Sequence, residues 1–125
     1  MVMTTITVMF PRLASLWAEL MPSKLFDAAH LRSATGGNAA LQREVIALFF
    51  TQTHDLLARL GDSADHWPML AHTIKGSARN VGAVAIALAA ERVETVLGDH
   101  NAAVAAIADL GDVLAASRAE MMQTP

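Results

Sequence analysis

Apolar residues recur at every third or fourth position through most of the chain after residue 38, and this spacing predicts a series of amphipathic helices. The first long helix is expected over residues 39–60, with Asn38 as its N-cap. Its predicted buried stripe consists of Leu41, Val45, Leu48, Phe49, Leu56 and Leu60. Gln52 falls in the same stripe, either as a polar residue beside His72 or as an ordinary boundary position.

A second helix is expected to begin after Asp65, its predicted N-cap, and to end near Val81. Pro68 would then stand at the third helical position, where its missing N–H removes no intrahelical hydrogen bond. Gly82 is expected to close this helix in a left-handed conformation. The predicted buried stripe consists of Leu70, Ile74, Ser77, Ala78 and Val81.

Two further helices follow, one over residues 84–97 with Gly98 as its stop, and one from Asp99 or Asn101 to about Met121. The core positions of the first are expected to be Ile86, Ala90, Val93 and Leu97. Those of the second are expected to be Val104, Ile107, Leu110 and Leu114. Three charged residues of the first are interpreted as a solvated face: Glu91, Arg92 and Glu94.

The connections between these four helices are short, so consecutive helices are expected to pack antiparallel. The predicted fold class is therefore all-α: an antiparallel up-down four-helix bundle with an additional short N-terminal helix. We expect residues 23–125 to form the bundle and residues 1–22 to form an N-terminal extension. Within the bundle domain, Asp27 is expected to cap a short helical segment through Leu31.

The N-terminal extension begins with ten residues that carry no charge. A secretory signal peptide is not expected, because no basic region comes first and Pro11, Arg12 and Glu19 interrupt the apolar run. An apolar face on a short helix ending before Pro22 is formed by Phe10, Leu13, Trp17, Leu20 and Met21. We expect this helix to pack against the bundle or against a second copy of itself, rather than against a membrane.

Composition narrows the class of protein. The chain has 125 residues, of which 54% are hydrophobic and 5% aromatic, as expected for one helical domain packed mainly by aliphatic side chains. The net charge of −3 provides no basic surface for nucleic acid. There is no cysteine, which excludes disulfides and thiol chemistry. The sequence contains no uninterrupted run of 18 apolar residues, so no transmembrane helix is expected. A cytoplasmic location is expected.

Most enzyme chemistries lack their sequence signals. The histidines show no metal-ligand spacing, so no metal site is expected. No phosphate-binding loop, protein-kinase signature or serine-nucleophile elbow is present in the sequence. The chain is therefore not expected to have ATP-dependent kinase activity of its own.

The candidate chemistry lies on the second helix, on the side opposite to its apolar stripe. His72, Lys75, Gly76 and Arg79 are spaced i, i+3, i+4 and i+7 and share this side. The histidine therefore points away from the core. Because glycine costs a helix interior about 0.5–1 kcal/mol relative to alanine, Gly76 indicates a need for space. That space either accommodates a neighbouring helix or leaves room for a group attached to the imidazole, with Lys75 and Arg79 as cationic support.

The segment His72-Thr73-Ile74-Lys75-Gly76-Ser77-Ala78, followed by Gly82-Ala83, resembles the signature of histidine-containing phosphotransfer (HPt) domains. The resemblance covers roughly residues 26–118. HPt proteins commonly have an aspartate where Asn38 stands, but both residue types cap helices.

The resemblance implies a phosphorelay in which His72 accepts a phosphoryl group, by family analogy on Nε2. Lys75 would stabilise the charge on the phosphoryl oxygens, and Gly76 would leave room for them. The implied partners are response-regulator receiver domains, with a hybrid histidine kinase as a further candidate. This chain would need no cofactor, because the Mg²⁺ is expected in the receiver domain.

Partner binding is predicted at Pro68, Met69, Arg79 and Gln52, with Trp67 either joining this rim or packing inside. A different function is also compatible with the sequence: an HPt-like docking domain that regulates a kinase or receiver without carrying phosphate. A third possibility is a homodimeric adaptor built through the N-terminal helix, although a monomer is favoured.

Overall fold

The computed structural model describes residues 25–60 and 64–123. These residues form five α-helices and a 3₁₀ turn at Ala64–His66, with no strand among them. The helices are α1 (Ala28–Ala34), α2 (Ala39–Leu60), α3 (Trp67–Val81), α4 (Val84–Thr95) and α5 (His100–Met121). The predicted all-helical class is confirmed. The predicted N-terminal helix and the turn at residues 61–63 lie outside the described residues.

Side chains that accept backbone hydrogen bonds set the starts of three helices. Asp27 accepts from the His30 N–H at 3.0 Å, Asn38 accepts from the Leu41 N–H at 3.0 Å, and Asp99 accepts from the Ala102 N–H at 3.2 Å. The predicted caps of α1 and α2 are confirmed, and Asp99 is the cap of the two considered for α5.

The start of α3 differs from the prediction. Residues Ala64–His66 wind as a 3₁₀ turn, so the N-cap is His66 rather than Asp65, and His66 makes no side-chain capping bond. Pro68 is consequently the second residue of α3 rather than the third, where a missing N–H still removes no helical hydrogen bond. At the other end of this region, α4 stops at Thr95 with Val96 as C-cap, short of the predicted Leu97.

The orientation of α2 was predicted only in part. Phe49 and Leu60 are buried as predicted, but Leu41 and Leu48 are exposed. The side chains of α2 that the core encloses are Ile46, Phe49, Phe50, Thr53 and Leu60. Apolar residues occur on more than one side of this helix, so the spacing alone did not identify the side that packs.

In α5, Leu110 and Leu114 are buried as predicted, whereas Val104 is exposed. The interior side of the first half of this helix is formed instead by Ala103 and Ala106. Core positions predicted from large apolar side chains do not include these alanines. Their small side chains instead allow a neighbouring helix to pack closely.

The packing places α3 between two neighbours. Helix α3 contacts α2 and α4, α4 contacts α5, and α2 also contacts α5. The buried side chains of α3 are Leu70, Ala71, Ile74 and Ala78. The opposite side of α3 is left accessible, and this is the side that carries His72.

The turn between α3 and α4 is held by residues of α1 and of the segment just before it. Gly82 closes α3 with φ of 79°, as predicted, and its carbonyl accepts a 2.7 Å hydrogen bond from the Asp27 N–H. The Ala85 N–H donates to the Leu25 carbonyl at 3.0 Å, and His30 Nε2 lies 3.0 Å from the Asn80 carbonyl. These bonds attach α1 to the C-terminal end of α3.

No helix within residues 25–60 and 64–123 combines the length and the apolar character needed to span a membrane.

Candidate functional site

His72 stands on the accessible side of α3, and its side chain is 73% exposed. Two residues before it, Leu70 is buried, and two residues after it, Ile74 is buried. Because successive helical residues are rotated by about 100°, this alternation turns the imidazole away from the core. The orientation predicted from the sequence is confirmed.

The imidazole meets a carboxylate from the neighbouring helix. His72 Nδ1 lies 3.5 Å from Glu94 Oε2, and the Nζ atom of Lys75 lies 2.6 Å from Glu94 Oε1. Glu94, which was interpreted as part of a solvated face, is only 24% exposed, and Lys75 is 16% exposed. Glu94 therefore contacts both polar residues of the α3 site, and the interpretation as a solvated residue is wrong.

The sequence contains a signal that Glu94 is partly buried. Glu94 follows the buried Ala90 by one turn and adjoins the buried Val93, so it lies at the border of the core stripe of α4. Its contact with His72 and Lys75 depends on the relative register of α3 and α4, however, and the turn at Gly82 and Ala83 sets that register.

The electrostatics of this trio favour an ionised carboxylate. The Lys75 ammonium beside Glu94 holds the pKa of that carboxyl below its usual range, and His72 adds a smaller effect in the same direction, against an opposing effect of burial. A carboxylate next to Nδ1 favours a proton on that nitrogen. In a neutral imidazole, this tautomer leaves the free lone pair on Nε2.

Glu94→Gln tests this arrangement through stability. The pKa of Glu94 is lowered in the folded state, so the ionised carboxylate stabilises the fold. This contribution to the free energy of unfolding is complete above the ordinary pKa of 4.5 and is lost as the pH falls through the folded-state pKa. The variant should be less stable by up to about 1 kcal/mol near pH 7, and the difference should shrink below pH 4.5. Denaturant unfolding between pH 3 and pH 7 measures both quantities.

Glu91→Gln provides the matched control for that experiment. Glu91 lies on the same helix, and its Oε1 is 3.9 Å from Arg79 with both side chains about half exposed. Removing this carboxylate should change the stability near pH 7 by less than Glu94→Gln does. A Glu94→Gln profile parallel to that of the unchanged protein would contradict the assigned ion pair.

Gly76 faces open space. A Cβ atom added to this residue would meet no heavy atom of the described residues within 4 Å. The alternative in which a neighbouring helix requires the glycine is therefore not supported. The accessible surface one turn beyond His72 is consistent with clearance for an attached group.

The other predicted site residues occupy the surroundings of α3. Pro68 and Met69 are exposed near its start, and Arg79 is exposed near its end beside Glu91. Gln52 is exposed in a groove between α2 and α3, on the flank away from Glu94, so it is a boundary residue of α2. The structure thus brings together His72, Lys75 and Glu94. It does not join Pro68, Met69, Arg79 or Gln52 to this trio.

Trp67 packs inward rather than joining the exposed residues. Its indole Nε1–H donates a 2.6 Å hydrogen bond to the Leu60 carbonyl, and its ring stacks on His100 with centroids 5.4 Å apart. These contacts hold the start of α3 against the C-terminal end of α2 and the N-terminal end of α5. Within the described parts of the chain, no three His, Asp or Glu side chains are grouped so that they could hold a metal ion.

Residues 44–121 match the family model of the Hpt domain. The matched region is more than half of the chain and contains His72, Lys75, Gly76 and Glu94. The chain belongs to the Hpt domain family. Comparisons with curated proteins and with solved structures gave no match. The resemblance seen in the sequence is thereby confirmed, and the trio on α3 and α4 is the candidate site of this Hpt domain.

Proposed function

We propose that this Hpt domain relays a phosphoryl group between aspartate-bearing receiver domains in a two-component phosphorelay, with His72 as the phosphoacceptor. The observation that carries the proposal is the imidazole of His72, which is 73% exposed and lies beside Glu94 in a chain of the Hpt family. Family membership supports phosphotransfer in two-component signalling as the general function.

The transfer needs a nucleophile with a free lone pair. Nε2 of neutral His72 attacks the phosphorus of the aspartyl phosphate, a new N–P bond forms, and the bond from phosphorus to the aspartate oxygen breaks. The aspartate leaves as a carboxylate, so no proton has to move to it. The proton on Nδ1 stays in place beside Glu94, which offsets the positive charge that develops on the ring. Return of the group to another receiver reverses these steps.

Lys75 and Gly76 serve the phosphoryl oxygens in this proposal. The ammonium of Lys75, one turn from His72, is already held at 2.6 Å by Glu94. Glu94 thus keeps the Lys75 ammonium near His72. Negatively charged phosphoryl oxygens bound to His72 would compete with Glu94 for this ammonium. The open surface at Gly76 leaves room for the oxygens. Positioning and charge neutralisation are the main requirements of phosphoryl transfer.

The Gly76→Leu variant distinguishes a role of Gly76 in phosphotransfer from a role in the stability of the fold. The added side chain would occupy the space where the phosphoryl oxygens are proposed to lie, so the transfer rate should fall at least about tenfold, a loss of about 1.4 kcal/mol in transition-state stabilisation. Stability should stay equal or rise by up to about 1 kcal/mol, because leucine favours a helix over glycine. Rapid-quench transfer kinetics and denaturant unfolding measure the two effects. Unchanged transfer with reduced stability would contradict the proposed role of Gly76.

We further propose that α2 to α5 run antiparallel in an up-down bundle. The two-residue connection between α3 and α4 and the contact between α2 and α5 support this order. Hpt domains generally interact with receiver domains and histidine kinases. Pro68, Met69 and Arg79 are the proposed contact residues on α3, and Gln52 is the proposed contact residue on the α2 flank of the site.

The direct test is incubation of the protein with a receiver domain that carries radiolabelled phosphate on its aspartate. The expected result is transfer of the label to this chain, in a linkage that acid destroys and base preserves, as for a phosphoramidate. Binding of the receiver without any transfer of label would support the docking function instead.

A further inference from the structure

The sulfur atoms of this protein belong to methionine alone, because the sequence has seven methionines and no cysteine. Three of these methionines fall within the described residues. Met121 is fully buried in the core, whereas Met69 and Met122 are 55% and 57% exposed. Among the described methionines, these two thioethers are therefore the ones that an oxidant in solution reaches, and they are exposed almost equally.

Met69 lies one turn before His72 on α3. A separation of three residues places both side chains on the accessible side of the helix, with their Cβ atoms about 5–6 Å apart. Met122 follows α5 and lines a groove between α2 and α5 together with Phe50 and Arg118, and none of the described residues that line this groove belongs to α3. The two methionines thus have similar exposure but different positions relative to the candidate site.

A receiver domain that brings its aspartyl phosphate to His72 would cover Met69. A protein–protein interface of ordinary size buries about 800 Å² on each partner, which corresponds to a radius of about 16 Å around its centre. Met69 is displaced from His72 by about 4.5 Å along the helix axis, so it lies well inside an interface centred on the imidazole. Its flexible apolar side chain suits a dry contact at this place.

Oxidation would change the chemistry of this contact. The thioether sulfur of Met69 attacks one oxygen of hydrogen peroxide, an S–O bond forms and the O–O bond breaks. The second oxygen leaves as water, so the sulfur loses two electrons and the peroxide gains them. The product is a sulfoxide, whose polar oxygen would lose its hydration beneath a receiver domain. Methionine sulfoxide reductases reverse the step with electrons from thiols.

We propose that Met69 is a site of reversible oxidation, and that its sulfoxide form weakens the docking of a receiver domain at His72. The effect on docking rests on the proposed function, whereas the accessibility of the sulfur does not. The modification leaves His72, Lys75 and Glu94 chemically unchanged. It should therefore raise the KM for the receiver at least about fivefold with little change in kcat.

The test treats the full chain with hydrogen peroxide, removes the peroxide with catalase, and then adds a phosphorylated receiver domain. Peptide mass spectrometry should find Met69 and Met122 oxidised at similar rates, each at least about tenfold faster than Met121. Label transfer should show the rise in KM for the treated protein. Incubation of the treated protein with sulfoxide reductases for both epimers and a thiol should restore the original KM.

Two substitutions assign the effect to one sulfur atom. Met69→Leu keeps an apolar side chain without sulfur, so the KM of this variant should be the same before and after peroxide treatment. Met122→Leu removes the equally exposed methionine and should leave the response to peroxide as in the unchanged protein. Both variants retain the methionines of residues 1–21, so oxidation there cannot account for a difference between them.

An unchanged KM in protein whose Met69 is fully oxidised would overturn the proposal, and so would an equal response of the Met69→Leu variant. A protein that accepts no label before treatment would instead contradict the proposed function. The calorimetric affinity for the receiver, measured with and without peroxide treatment, then decides the inference. A loss of affinity confined to chains that contain Met69 supports it, and equal affinities overturn it.

Discussion

A protein in which His72 is replaced by glutamine should accept no phosphoryl label from a phosphorylated receiver domain, while its fold stays intact. Glutamine has similar size and polarity but no nucleophilic ring nitrogen, so the N–P bond cannot form at this position. The side chain is 73% exposed, so the free energy of unfolding should change by no more than about 0.5 kcal/mol. Transfer is measured by autoradiography, and stability by denaturant unfolding.

His54→Gln is the matched control for this experiment. His54 is an exposed histidine on α2, the helix that neighbours α3. Its replacement should leave transfer at the level of the unchanged protein. Label on the His72→Gln protein at a comparable level would rule out His72 as the acceptor. If the His72→Gln protein still binds the receiver with unchanged affinity, docking and transfer are separable in this domain.

The largest effect on stability is expected for Gly82→Ala. Gly82 has φ of 79°, a left-handed conformation that costs other residues about 1–2 kcal/mol. An added Cβ would also lie 2.8 Å from the backbone carbonyl oxygen of Asp27, too close for any relaxed contact. We expect a loss of about 2–3 kcal/mol and a fall in Tm of roughly 10 °C or more. Denaturant and thermal unfolding of the variant measure these changes.

Gly76→Ala is the control, because it adds the same methyl group to the same helix in open space. This substitution should leave stability equal or increase it by about 0.5–1 kcal/mol. Opposite signs for the two variants would show that backbone conformation and the approach of Asp27, rather than loss of glycine as such, determine the effect. Similar losses for both would contradict the described turn.

Helix α3 was predicted well because its signals are local. The buried positions Leu70, Ile74 and Ala78 follow the helical period, and the opposite side carries polar residues, so one orientation satisfies both. Gly82 ends the helix in a left-handed conformation that other residues adopt only at an energetic cost, so a glycine at this position indicates the helix end. The exposure of His72 follows from the same periodicity.

Helix α2 was predicted less well because its sequence is ambiguous. Leu41 and Leu48 occupy one side and Ile46 and Phe50 another, and both sets have helical spacing. The contacts with α3 and α5 decide which set is enclosed. The N-cap of α3 was misplaced by one residue for a related reason, since a 3₁₀ turn before the helix has no distinct sequence signal.

The amino-acid sequence alone determined the helical class, most of the helix ends, the Hpt resemblance and the outward direction of His72, because these depend on residues within a few turns of one another. The tertiary structure decided that Glu94 meets both His72 and Lys75, and that two leucines of α2 stay uncovered by the described helices. Both outcomes depend on how α2 and α4 are rotated and shifted against α3. Periodicity within a helix does not specify that placement, because it arises from side-chain packing between residues far apart in the chain.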